Sequence, residues 1–482
     1  MAELKKRYII DNDGGDCFCA EGSYEAFCKK RMAAYPGLGA TTLLYCPQSS
    51  GFGVFTYKTK YGTIWTSTPV HVPIPNAVSQ MIARGEDSIT YALRFCREHD
   101  LEFFVNLRMN DTHDGTGAEY SPFMFQNNAF KISHPECLFG KKDGSANPKY
   151  GTWSAVDYGH PLVREMMCKF VEELCQNYDI DGVHLDYFRH PMLFRHPANG
   201  EHATQEEIDQ LNDMTREIRR ILDVEGEKRG RKILLSVRVP DSVEYALFLG
   251  MDLETWLKEG WLDLFMTSSY LQFNHFDYSA ELGHRYGVPV YPSLDEIRVW
   301  EPEAKDRRNT REAYLGRVEK VMGEGCDGPM IFNYNAMYAD TESARYQRET
   351  LRIALNDEER KAAPKSFFAS VRGLGGVAGG APPHREFMKI PYLTPNFPQE
   401  IAGKGETSIR VPAKWDGKKQ LRIFFAEEAK GSVSLNGVNL GAFEGKEIAF
   451  DITGETLKWG DNQVEVTAEN AVLTDAMIEF LA

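Results

Sequence analysis

The chain has no concentrated positive charge. Its 482 residues carry 70 Asp and Glu against 55 Lys and Arg, a net charge of −15, and no Lys/Arg cluster reverses that balance locally. Such a surface repels polyanions, so nucleic acid is not an expected partner. Long apolar runs are missing as well. Nothing approaches the length that crosses a bilayer, and the amino terminus, MAELKKRYII, has no apolar signal core before its first strand. No membrane partner is expected; the chain reads as cytoplasmic as written, and as secreted or periplasmic if a signal peptide has been removed. Paired cysteines are scarce too. The nine are odd in number and mostly sit in apolar patterns, which reads as buried free thiols. Cys17 and Cys19 form the one close pair, without a second pair or a nearby His to complete a metal site.

Three catalytic signatures are also absent. There is no H-x-H after the first strand for a metallohydrolase barrel, no strand-end Lys for a Schiff-base aldolase, and no Gly-rich phosphate loop after strand seven or eight. No cofactor or metal is therefore expected. His113–Asp114 and the Asp11/Asp13 pair are the combinations that offer Ca²⁺ some oxygen ligands.

What the chain does have is alternation. With 42% hydrophobic and 26% charged residues it is globular in composition, and its length calls for one large domain and one small one. Strand patterns at 7–13, 40–47, 101–110, 180–186, 232–240, 262–270, 288–296 and 328–335 alternate with helical ones. Eight such units close into a (β/α)8 TIM barrel, an α/β fold, over residues 1–360. A doubly wound sheet is the fallback, and Gly14–Gly15 match its phosphate loop poorly. Residues 361–384, with GLGGVAGGAPP, read as a linker or a wrap across the barrel. From 385 to 482 the period becomes two, with an Asn436–Gly437 hairpin signal, and predicts a small all-β sandwich of jelly-roll type.

The stretch YDIDGVHLDYFRHP, 178–191, stands out. Side chains two apart on a strand share a face, so His184 and Asp186 point together while Val183 and Leu185 point away. A buried parallel strand is normally apolar on both faces, and a departure at its carboxyl end marks function. Asp186 is read as a catalytic carboxylate at the barrel mouth. Its bland rival is a structural partner of Arg189 or Arg238.

The other strand ends supply Asp11, Asp13, Tyr45, Asn106, Arg108, Arg238, Asp241, Ser269, Tyr270, Tyr291, Asp295, Glu296, Asn333 and Asn335. Carboxylates, amides and aromatic rings suit a carbohydrate substrate: hydroxyls take bidentate polar partners and sugar C–H faces take flat rings. Glycoside hydrolysis needs two carboxyl groups astride the scissile bond. Asp186 and Glu296 lie on opposite sides of the mouth and form the expected pair. Glu296 would be the acid, with Asp241 or Asp295 as substitutes, and Arg238 or Tyr187 would keep Asp186 ionised. His184 reads equally as a satisfied core histidine or as a contact to substrate or to Asp186. Asp11 and Asp13 read as loop braces or substrate contacts, and Tyr61, Trp65, Trp153 and Trp300 as loop packing or a stacking platform.

The 178–191 motif, together with AVDYGHPLVR (155–164) and the LLSVRVP and GMDLETWLKEGWLDLFMTSSY phrases (234–270), resembles the family 10 glycosyl-hydrolase-like proteins. The resemblance implies a (β/α)8 glycosidase and Asp186 as the catalytic Asp. The α-amylase pattern, to which such proteins are distantly similar, has an Arg two residues before that Asp, where this chain has His184. The second carboxylate is therefore assigned from spacing and strand order alone. VSLNGVNLGAF and LKWGDNQVEV in the tail resemble the galactose-binding jelly rolls appended to glycosidases, which implies sugar binding or bracing of the barrel. The competing expectation is a catalytically inactive glycan-binding barrel.

Overall fold

The structure, a computed structural model, describes residues 5–15, 22–48, 51–65, 77–119, 121–268, 271–294, 299–334, 341–370 and 385–482. Eight parallel strands follow one another: β1 (Ile9–Asn12), β2 (Thr42–Tyr45), β3 (Glu102–Arg108), β4 (Gly182–Asp186), β5 (Leu234–Val239), β6 (Leu264–Thr267), β7 (Ser293–Leu294) and β8 (Met330–Ile331). Hydrogen bonds run in the order β6–β5–β4–β3–β2–β1–β8–β7. The two ends then meet, because the Phe265 N–H donates to the Pro289 carbonyl at 3.0 Å and the Tyr291 N–H to the Phe265 carbonyl at 2.9 Å. The sheet closes into the expected barrel.

Helices return the chain between strands. Pro161–Asn177 starts on a proline, whose fixed φ and missing N–H suit a first helical position. Gln205–Arg229 begins with a capping box between Thr204 and Glu207 and stops at Gly230, whose φ of +71° lets it close the end in the left-handed conformation. Both sides of the barrel wall are apolar at its base. Outward side chains pack on the helices, while Ile9, Leu44, Phe104, Leu264, Met266, Tyr291, Met330 and Phe332 fill the interior. Gly182 is forced by that filling: a Cβ there would lie 2.3 Å from the Phe104 ring.

The carboxyl-terminal domain is antiparallel, as its period-two pattern implies. Strands β9 (Lys365–Phe368), β10 (Gln399–Val411), β11 (Lys419–Leu435), β12 (Val438–Ile452) and β13 (Gly460–Phe480) form one hydrogen-bonded sheet. Register shifts between Phe424 and Ala429 in β11 and between Ile401 and Gly403 in β10 bend the long strands around a second core. Asn436–Gly437 is the turn between β11 and β12, with φ of +53° and +83°. The stretch read as linker is not all linker. β9 lies inside it and pairs with β13, so the β domain begins before the Gly-rich segment; residues 371–384 lie outside the described residues.

The two domains share a closely packed contact. Gly316 and Gly323 of the helix Arg311–Gly323 bring it against the Ser366 and Pro412 carbonyls, where a Cβ would come within 2.0 and 2.1 Å. Beside it Arg308 donates to Asp475 at 2.6 and 2.9 Å and to the Ser370 carbonyl at 2.7 Å, with both charged side chains wholly buried.

Candidate active site

Alternation carries the inward face from the apolar base to a polar top. Above Ile9 comes Asp11, above Phe104 come Asn106 and Arg108, above Gly182 come His184 and Asp186, and above Leu234 come Ser236 and Arg238. The lower polar layer is Asp11, Asn106, His184 and Ser236. Asn106 Nδ2 donates to Asp11 Oδ1 at 2.7 Å, and His184 Nδ1 meets Ser236 Oγ at 2.9 Å. Burial drives the His184 imidazole down to about 3, so it is neutral at physiological pH.

The upper layer is a charge pair. Arg238 Nε and Nη2 donate to Asp186 Oδ1 and Oδ2, both at 2.9 Å, and neither side chain is exposed. The guanidinium also lies over the Phe332 ring, 3.6 Å from its centroid, which holds the fork in plane. The backbone N–H groups of Phe188 and Arg189 add bonds of 3.1 and 2.9 Å to Oδ1. Burial alone would raise the Asp186 carboxyl, but the Arg238 charge and hydrogen bonds outweigh it and hold the group below the ordinary carboxylate range. Oδ1 thus accepts from three donors and Oδ2 from Arg238.

Asp11 behaves oppositely. Burial pushes it up to about 6, with Arg238 pulling it down and the Asp186 charge pushing it up again. Two inward carboxyls of one barrel therefore have opposite perturbations, a pattern that separates a proton holder from a permanent anion.

Of the other predicted residues, Arg108 is buried beside the pair and donates to Asp111 Oδ2 at 3.1 Å. Asp13, half-buried, accepts from the Gly15 N–H at 3.4 Å. Asn333 has a φ of +45°, and its N–H reaches Asp11 Oδ2 at 3.4 Å. Asp241 takes the backbone N–H groups of Phe273 and Asn274 at 3.0–3.1 Å and so pins the loop after β6. The sequence predicts that Tyr187 supports Asp186, and its side chain does not reach that carboxylate. One residue along the strand it faces outward, and its ring packs on Trp256 at 5.4 Å. Trp153 packs on Phe125 at 4.8 Å, while Trp300 stands exposed. Glu296, Asp295, Tyr270, Ser269, Asn335, Cys17 and Cys19 lie outside the described residues.

Three residues that the strand-end reasoning passed over gather beside Arg108. Asp111 Oδ1 meets His113 Nδ1 at 2.7 Å, Arg189 Nη2 donates to His113 Nε2 at 2.9 Å, and the His113 and His190 ring centroids are 5.2 Å apart. The sequence pairs His113 with Asp114 as a Ca²⁺ candidate. Asp114 is instead turned to buried Lys131, 2.8 Å from its Oδ2, and its Oδ1 accepts from Lys131 at 2.9 Å and from Ser154 at 2.8 Å.

The molecule is a (β/α)8 barrel with a buried, charge-paired mouth and an antiparallel β domain. No family model matches the chain, and no curated protein matches it. Solved structures resemble it in outline. A noncanonic maltogenic α-amylase from Thermotoga neapolitana is 11% identical, with 98% of this chain and 99% of that chain covered and a TM-score of 0.43. The glycoside hydrolase domain of PgaB from Bordetella bronchiseptica is 10% identical, covers 74% of this chain and 99% of that one, and has a TM-score of 0.46. A chitinase from Bacillus thuringiensis is 9% identical over 98% and 100% of the chains, with a TM-score of 0.42. The barrel assignment rests on this chain's own strand order and closure.

Proposed function

We propose that the protein is a glycoside hydrolase acting on a carbohydrate substrate at the carboxyl-terminal mouth of the barrel. The observation that carries this reading is Asp186, an ionised carboxylate at the end of β4, fixed by a bidentate arginine. A carboxylate held charged out of water is suited to oppose the positive charge that develops on a sugar ring as its glycosidic bond breaks. Oδ2 is the oxygen we assign to attack or to charge stabilisation, because Oδ1 already accepts from three donors. The acid is assigned to Glu296, two residues beyond β7, which lies three strands around the barrel from β4. Asp11 then tunes Asp186 from below: when it gives up its proton the layer gains a second negative charge.

A second reading has an observation of its own. Asp186 and Arg238 are both wholly enclosed and bonded to each other, which is also how an ion pair that only braces a barrel is built. On that reading the mouth binds glycans without cleaving them.

The test is turnover of a panel of oligosaccharides and aryl glycosides by the wild type and by Glu296→Gln. The hydrolase reading predicts hydrolysis by the wild type. It also predicts that Glu296→Gln fails most on sugars with poor leaving groups and retains activity on activated aryl glycosides, which need little protonation. Sugar binding without any hydrolysis across the panel would favour the bracing reading.

A further inference from the structure

We propose that Asp111, His113 and His190 form a binding site for a divalent first-row transition metal ion, independent of the glycosidase reading. The three come from two loops at one rim of the barrel: Asp111 and His113 follow β3, and His190 follows β4. Each presents a ligand atom within 4.8 Å of the other two, close enough for one ion to reach all three with small side-chain rotations. Two imidazoles and a carboxylate form a donor set for zinc, iron(II), cobalt or manganese, whereas calcium and magnesium prefer oxygen alone. The positions left open would be filled by water.

Two further observations favour an ion over a plain hydrogen-bonded cluster. His190 is 6% exposed, and its Nδ1 has no hydrogen-bond partner among the described residues, an expense that a ligand would remove. The Asp111 carboxylate is also already divided. Arg108 Nη1 holds Oδ2 at 3.1 Å, and Oδ1 faces His113 at 2.7 Å, which matches a metal carboxylate whose second oxygen is anchored by an outer hydrogen bond.

The charges around the site set its behaviour. Arg108 and Arg189, which contact Asp111 and His113, oppose a cation, and the Asp111 charge favours it. Arg189 is the direct competitor. A guanidinium only donates, so its Nη2 contact makes His113 Nε2 an acceptor and puts the proton on Nδ1, against Asp111. An ion on Nε2 would displace Arg189 outright. An ion on Nδ1 would shift the proton to Nε2, and Arg189 would lose its acceptor. Either way metal binding and the Arg189 contact exclude each other.

The experiment is titration of the chelator-stripped full chain with CoCl₂ and ZnCl₂ by calorimetry, with the cobalt absorption bands as a second readout. One equivalent is expected to bind with a Kd of about 1 μM or tighter. His190→Ala and His113→Asn should each weaken binding by at least ~10-fold and change the cobalt spectrum. Arg189→Met should tighten it, a gain that a misfolded variant would not show. Failure of the wild type to bind either ion stoichiometrically would overturn the proposal, as would binding unchanged in both histidine variants.

Discussion

Arg238→Met removes the charge partner of Asp186 while retaining an unbranched side chain for the barrel interior. In the native protein the pair is wholly buried, with two 2.9 Å bonds. Breaking a buried pair from one side costs about 3–5 kcal/mol, because the surviving charge stays desolvated. Asp186 keeps two backbone donors and has one escape, which is to take up a proton. Protonating a carboxyl of ordinary pKa costs roughly 4 kcal/mol at about pH 7 and roughly 1.5 kcal/mol at about pH 5, and this caps the loss. The sign follows from the wild type. Asp186 lies below its unfolded value when folded, so its contribution is complete above the unfolded pKa and is lost as pH falls through the folded one. Arg238→Met should therefore lose about 3–4 kcal/mol near neutrality and less than half of that near pH 5, measured by urea unfolding followed by circular dichroism. The double variant with Asp186→Asn should recover about 1–3 kcal/mol through the coupling between the two sites. A loss under ~1 kcal/mol at neutral pH, or one that does not change with pH, would refute the assignment of a buried ionised carboxylate.

Two further outcomes follow. Asp11 sits at about 6 when folded and near the ordinary carboxylate value when unfolded, so the folded state holds the extra proton between them and stability falls as pH rises through that window. Asp11→Asn should therefore gain stability relative to wild type between about pH 4 and pH 7, by up to roughly 3 kcal/mol, in urea melts across that range; a difference independent of pH would contradict the raised value. At the domain contact, Asp475→Ala leaves Arg308 buried without its carboxylate and should cost about 3–5 kcal/mol in the same assay, while a loss below ~1 kcal/mol would mean the pair is not part of the domain contact's stability.

The barrel was legible because its evidence repeats. Strand-like and helix-like stretches alternate along the chain, strand side chains turn with period two, and all eight strands fall within the stretches read from sequence. The same period separates what was legible at the mouth from what was misread. His184, Asp186, Asn106, Arg108 and Arg238 do point inward, and Arg238 is the partner of Asp186, whereas Tyr187 is odd in the alternation and had to face Trp256 instead. Asp241 carried no local sign that two backbone N–H groups from 273 and 274 would occupy it, because that contact joins separate loops. The Asp111–His113–His190 cluster was hidden for the same reason. His190 lies 77 positions from His113 in sequence and meets it only after β3 and β4 pair, Asn106 beside His184 and Arg108 beside Asp186. In the tail, period two predicted strands, but not the bulges that let 15–21-residue strands curl around one core.

The most direct test of the central claim is the turnover number of Asp186→Asn on the best substrate of the panel, with sugar affinity measured in parallel. The change keeps the shape and removes the charge. If Asp186 opposes charge on the sugar ring, turnover should drop by at least ~10³-fold while binding is retained. Full activity in Asp186→Asn would contradict the account.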